Sequence, residues 1–261
     1  MNRLLCFGAA ICCALGISCS STLGADVNRE LYEVRSYLLG ENGDPATIDQ
    51  YLKTALLPAL KRQQIGPIGV FTNAPQDESG VHQIVLVIPY ADAAAMLGVE
   101  SKLAKDAEYQ QAAKSYLALG PQNPPYQRIR SELLTAMDCW PQVKVPDGSL
   151  DNAQRVYELR LYESPTEHIG ALTVEMFNAG EVPIFLDAGI QPIFIGSAIV
   201  GPQTPSLTYL TMYPDEAARG AAWNKFREHA DWKVLSAQPK YQGTVNRIDK
   251  YVLIAKPYSE M

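Results

Sequence analysis

Tyr32-Glu33-Val34-Arg35-Ser36-Tyr37 and Tyr157-Glu158-Leu159-Arg160-Leu161-Tyr162 stand 125 positions apart and differ at two of six places. Each string opens one half of the chain, so one supersecondary unit is written twice. Pro58 and Pro183, Ile65 and Ile190, and Pro67-Ile68 and Pro192-Ile193 keep the offset of 125. Tyr90-Ala91-Asp92 then pairs with Tyr213-Pro214-Asp215 at 123, and Arg128-Ile129 with Arg247-Ile248 at 119. An offset that drifts late in the unit is the trace of loop insertions.

Each half reads strand, helix, strand, strand, helix, strand. The opening strands, near 31–38 and 156–162, alternate cleanly. Asp44-Pro45 and Ser164-Pro165 start the first helices, with Asp44 and Ser164 as N-caps. Gly66 and Gly189 end them, and Pro58 and Pro183 kink them before their ends. Second strands are expected at 67–71 and 192–199, third strands at 83–88 and 207–212, and last strands at 127–134 and 246–254. The second helices fall near 91–118 and 215–235. This order is the ferredoxin-like split unit, an antiparallel sheet with helices on one face. The bare sheet face needs a partner, and the second copy supplies it. The expected fold is therefore α+β: two ferredoxin-like βαββαβ repeats packed sheet to sheet as an intrachain dimeric α+β barrel.

Strand alternation divides the opening strings into two faces. Tyr32, Val34 and Ser36 share one with Tyr157, Leu159 and Leu161; Glu33, Arg35, Tyr37, Glu158, Arg160 and Tyr162 occupy the other. We expect the apolar set to meet the helices and the Glu-Arg-Tyr set to face the space between the sheets. Arg128, Arg130, Glu132, Arg247, Asp249 and Tyr251 on the last strands could extend that polar set. A charged pair there must be mutually satisfied or wetted. The commoner arrangement is a structural ion pair that sets the register. The alternative is a polar pocket for a small anionic or carbonyl-bearing ligand, with these six residues as its candidates.

The first 25 residues read as an export signal: Arg3, an apolar run from Leu4 to Ile17, then small residues to Ala25. A lipid anchor at Cys19 competes with simple export as a weaker reading. Units are expected at 1–25 (signal), 26–138 (first repeat), 139–152 (linker with Pro141 and Pro146) and 153–261 (second repeat). No segment beyond the signal reads as a membrane span. Four of five cysteines lie in the signal, leaving Cys139 and no disulfide framework. The formal charge of -6, without a basic run, argues against a nucleic-acid partner.

No thiol pair, His-Glu-x-x-His, calcium loop or nucleophile elbow occurs, so neither a metal nor a cofactor is implied. His82, His168 and His229 have no histidine counterparts in the other half and read as structural or exposed. Trp223, Phe226 and Trp232 at helical spacing read as helix–sheet packing.

The doubled Tyr-Glu-Val/Leu-Arg-x-Tyr string, together with Trp223-Asn224-Lys225-Phe226-Arg227-Glu228-His229-Ala230-Asp231-Trp232, resembles the NIPSNAP family of the dimeric α+β barrel group. The second half is the better match; the first has Asp106-Ala107-Glu108-Tyr109 in place of the tryptophan pair. The resemblance implies the barrel but no agreed activity. Relatives across the wider group include cofactor-free monooxygenases, haem-handling enzymes and isomerases, and fold analogy does not choose among them. The expected function is therefore binding of a small ligand, or interaction, through a polar barrel cavity. The alternative is a cofactor-independent monooxygenase-like or isomerase-like enzyme using that cavity. Intrachain pairing is expected to satisfy the sheet faces, with further self-association left open.

Overall fold

The computed structural model describes residues 29–261, so the expected export signal and Cys19 lie outside the described residues. The first half contributes β1 (Leu31–Leu38), α1 (Pro45–Tyr51), α2 (Leu57–Arg62), β2 (Gly69–Asn73), β3 (Gln83–Tyr90), α3 (Ala93–Leu103), α4 (Ala107–Leu117) and β4 (Arg128–Ala136). The second contributes β5 (Val156–Glu163), α5 (Glu167–Met176), α6 (Val182–Ala188), β6 (Gln191–Val200), β7 (Ser206–Tyr213), α7 (Glu216–Glu228), α8 (Ala230–Ser236) and β8 (Arg247–Ala255). Every expected strand is present within a few residues. The eight close into one antiparallel barrel in the order β1-β3-β2-β8-β5-β7-β6-β4. The halves join through β2–β8 and β4–β6, so neither sheet keeps an open edge.

Local chemistry sets the helix boundaries. Asp44 caps α1, its Oδ1 accepting from the Ala46 and Thr47 amides at 3.1 Å. In the second half the cap is Thr166, not Ser164; Ser164 is buried against Thr173 at 3.1 Å. Gly189 ends α6 in the left-handed region at φ 88° as expected, whereas α2 stops at Arg62, short of Gly66. Both proline kinks appear as a wide π-turn ahead of the proline, Leu52–Leu56 before Pro58 and Phe177–Glu181 before Pro183. The long second helices each divide in two, at Ala104–Asp106 and at His229.

One helical run among the described residues, Glu167–Ala188, is long and apolar enough by length and composition to cross a membrane. The sequence reading did not anticipate it. In this fold it packs Met176, Phe177, Val182, Ile184 and Phe185 into the core of the second half.

Three apolar clusters divide the molecule. Tyr32, Val34, Phe71, Tyr157, Leu159, Phe194 and Leu253 fill the barrel itself. The other two lie between the barrel wall and the helices, one in each half. The expected parity of the opening strands holds, but the side is reversed. Tyr32 and Val34, with Tyr157 and Leu159, point into the barrel, and the Glu-Arg-Tyr face lies under the helices. The physical reason is enclosure. A barrel closed by eight paired strands keeps water out, so it takes the aromatic and aliphatic set and would penalise charge. The helix layer is open at its ends and can admit water or a ligand.

Candidate functional site

The six candidate residues form two groups, one beneath each half's helices, and do not meet inside the barrel. In the first half, Glu33 and Arg35 project side by side from β1. Arg35 Nε donates to Glu33 Oε1 at 2.7 Å, and Ser131 Oγ donates to the same oxygen at 3.2 Å. Tyr90, at the end of β3, donates to Glu33 Oε2 at 3.1 Å. Burial, the largest single effect, opposes the charge on Arg35, but Glu33 and Tyr37 together outweigh it and hold the guanidinium protonated. Burial, followed by the Glu33 charge, raises the Tyr90 hydroxyl above its ordinary range.

This pair opens into a cavity of about 620 Å³. Leu56, Leu60, Ile88, Met96, Val99 and Leu103 make its aliphatic wall, and Tyr51 and Tyr109, hydroxyls 3.0 Å apart, bound another side. Glu100 and Glu132 also line it; burial raises the Glu132 carboxyl, which accepts from Thr208 at 2.9 Å. Tyr37 does not reach the cavity and packs edge-on against Tyr126 at 5.4 Å.

The second half uses the same strand residues differently. Glu158 is fully buried and receives Arg160, Arg219 from α7, and the Trp223 indole N–H at 3.2 Å. The Arg160 guanidinium lies over the Trp223 ring, 3.6 Å from its centroid. It also reaches Tyr162 at 3.2 Å, and Tyr162 accepts from Tyr209 at 2.8 Å. Trp223, Phe226, Phe185 and Phe177 continue the packing at centroid distances of 5.0–5.9 Å. The structural reading of a satisfied ion pair describes this half.

The helix N-caps Asp92 and Asp215 align α3 with α7 at the offset of 123. In that alignment Met96 and Glu100 stand where α7 carries Arg219 and Trp223. Removing a guanidinium and an indole opens the first-half cavity. What remains in the second half is a space of about 350 Å³ bounded by Arg160, Tyr162, Met176, Trp223, Phe226, Trp232, Tyr241 and Glu181.

Sequence reasoning passed over Glu181, Arg219, Tyr90 and the Met96/Glu100 exchange. A signal for two of them was present. Arg219 lies one helical turn before Trp223, and Glu181 interrupts an apolar helical run between Gly180 and Val182. Among the described residues no three His, Cys, Asp or Glu side chains are arranged to hold a metal ion. His82 and His168 are exposed, and His229 caps α8 while its Nε2 meets Asp187 at 3.1 Å. Burial pushes the Cys139 thiol up to about 11, far from a reactive thiolate.

Comparison with known proteins agrees with this architecture. Residues 157–260 match the NIPSNAP family model, which begins one residue into β5. No curated protein matches the chain. A candidate monooxygenase from Fusobacterium nucleatum superposes with a TM-score of 0.57 at 12% identity, covering 87% of this chain and 92% of that one. A second, from Lactobacillus acidophilus, gives 0.55 at 10% identity over 87% and 94%. An anthrone oxidase-like protein gives 0.50 at 10% identity over 89% and 95%. At these identities the likeness is one of fold.

Proposed function

We propose that this protein, whose residues 157–260 match the NIPSNAP family model, binds a small organic molecule in the first-half cavity between the barrel and its helices. The observation that carries the reading is the Arg35–Glu33 pair at the floor of a cavity of about 620 Å³ with an aliphatic wall. A space of that size and lining accommodates a molecule with an apolar body and a few polar contacts. The charge balance narrows its head group. Arg35 is already paired with Glu33, and Glu100 adds negative charge to the lining, so a neutral carbonyl or hydroxyl fits better than a strong anion.

The enzymatic alternative would use the same cavity. An oxygenase or isomerase without a cofactor needs a base free to take a substrate proton. Glu33 is within the cavity but accepts from Arg35, Ser131 and Tyr90, which favours holding over proton transfer. Native mass spectrometry of protein purified from its own source tests the binding reading, with a retained organic molecule as the expected result. Titration with a medium-chain methyl ketone provides a second readout. Saturable binding that weakens at least tenfold in Arg35→Leu supports the proposal. Ketone binding indifferent to that change, with nothing retained, would sink it.

A further inference from the structure

The π-turn of the second half ends on Glu181. Its counterpart at the offset of 125 is Leu56, which occupies the same place in the matching π-turn. Glu181 is 2% exposed, and its Oε2 is buried with no hydrogen-bond partner among the described residues. Leaving such an oxygen unpaired is costly to the fold. Burial raises the carboxyl to about 8 despite the opposing charge of Arg160, so at neutral pH it is largely a neutral acid.

The space it faces has aromatic walls. Phe226 and Trp232 are inclined at a centroid distance of 4.5 Å, Trp223 closes the inner side, and Tyr241 is buried along the edge. Of the two arginines that line it, Arg160 is engaged by Glu158 and covered by Trp223, and Arg227 lies at the exposed rim with its guanidinium bonded to the Asn224 side chain. An anion therefore gains little here. A cation meets Arg160 and a protonated carboxyl, and gains less.

We propose that the second half holds its own ligand site, taking a neutral planar aromatic molecule whose carbonyl or hydroxyl pairs with Glu181. The carboxyl suits either head group: protonated, it donates to a carbonyl, and its free oxygen accepts from a phenol. The walls supply edge-to-face and stacked contacts, which an aliphatic ligand of the same volume cannot use. At about 350 Å³ the space admits a bicyclic ring system. This site is independent of the larger first-half cavity in location, lining and ligand class.

The test is calorimetric titration of α-naphthol into the full chain, with the saturated alcohol decalol as its control. One saturable naphthol site is expected, with decalol at least tenfold weaker. Glu181→Leu should weaken naphthol at least tenfold, whereas Glu181→Gln, which keeps a donor and an acceptor, should stay within threefold. Arg35→Leu, in the other half, should leave naphthol binding unchanged. Should Glu181→Leu fail to fold, the half-exposed Trp232→Ala removes one wall and is expected to weaken binding by a similar factor. Absence of saturable binding, binding indifferent to both Glu181→Leu and Trp232→Ala, or loss of binding in Arg35→Leu would overturn the site.

Discussion

Arg35 reaches into open space, whereas Arg160 ends against an indole. Both arginines come from the same position of the same strand, two residues after a glutamate, and both pair with that glutamate. The difference lies in one helix face. α7 supplies Arg219 and Trp223 and turns the Glu158–Arg160 pair into a buried network; α3 supplies Met96 and Glu100 and leaves a cavity. A repeated strand motif thus does not imply a repeated site. The layer packed over the strand decides whether a charged pair becomes framework or floor.

The strongest way to break this comparison is to remove each glutamate. Glu158→Ala leaves Arg160 buried without its carboxylate, while Arg219 keeps its pairing with Glu216 on α7, and should cost about 3–5 kcal/mol. Glu33→Ala leaves an arginine 28% exposed at a cavity, and about 1 kcal/mol is expected. Urea unfolding of the two variants measures both. Equal losses would mean that the halves are energetically alike.

The next effect belongs to Glu181. Its carboxyl rises from the usual 4.5 to about 8 in the folded protein, so the folded state holds a proton that the unfolded chain releases earlier. Its contribution is fully present below about 4.5 and is lost as pH rises through about 8. The groups facing it include Arg160 and Tyr162 on β5, Tyr209 on β7 and Cys139 in the linker. Glu181→Gln should remove a pH-dependent destabilisation on the order of a few kcal/mol between those limits. Parallel unfolding curves for wild type and variant across that range would show that Glu181 ionises normally.

A transplant sharpens the comparison further. Met96→Arg combined with Glu100→Trp rebuilds the second-half plug over Arg35. Methyl ketone binding should fall at least tenfold, with stability within about 1 kcal/mol of wild type. Retained binding would place the ligand outside the cavity. The smallest effect tests where the halves are the same. Asp92 and Asp215 cap α3 and α7 by accepting hydrogen bonds from the Ala95 and Ala218 amides at 2.8 and 2.7 Å. Each alanine variant should cost about 1 kcal/mol, and the two should agree.

Much of the fold was legible because it rests on local signals: period-two strands, proline and capping residues, and a strand motif that occurs twice. Thr166 displaced Ser164 as a cap because the Ser164 hydroxyl turns inward to Thr173, a tertiary contact that no local rule contains. Of the candidate site, Glu33, Arg35, Arg160 and Tyr162 do line cavities; Tyr37 and Glu158 are buried behind them. The polar cavity expected inside the barrel is instead two spaces outside its wall.

By itself the sequence determined the doubled strand motif, the strand parity and the grouping of Glu33, Arg35 and Tyr37 on one face, since alternation is a property of a single extended strand. Which face looks inward was decided by the tertiary structure. Only closure of eight strands defines an inside, and only an inside sealed from water repels charge strongly enough to choose. The same holds for openness: whether Arg35 meets space or an indole depends on residues 61 and 65 positions away along the chain, Met96 and Glu100, brought over it by the fold.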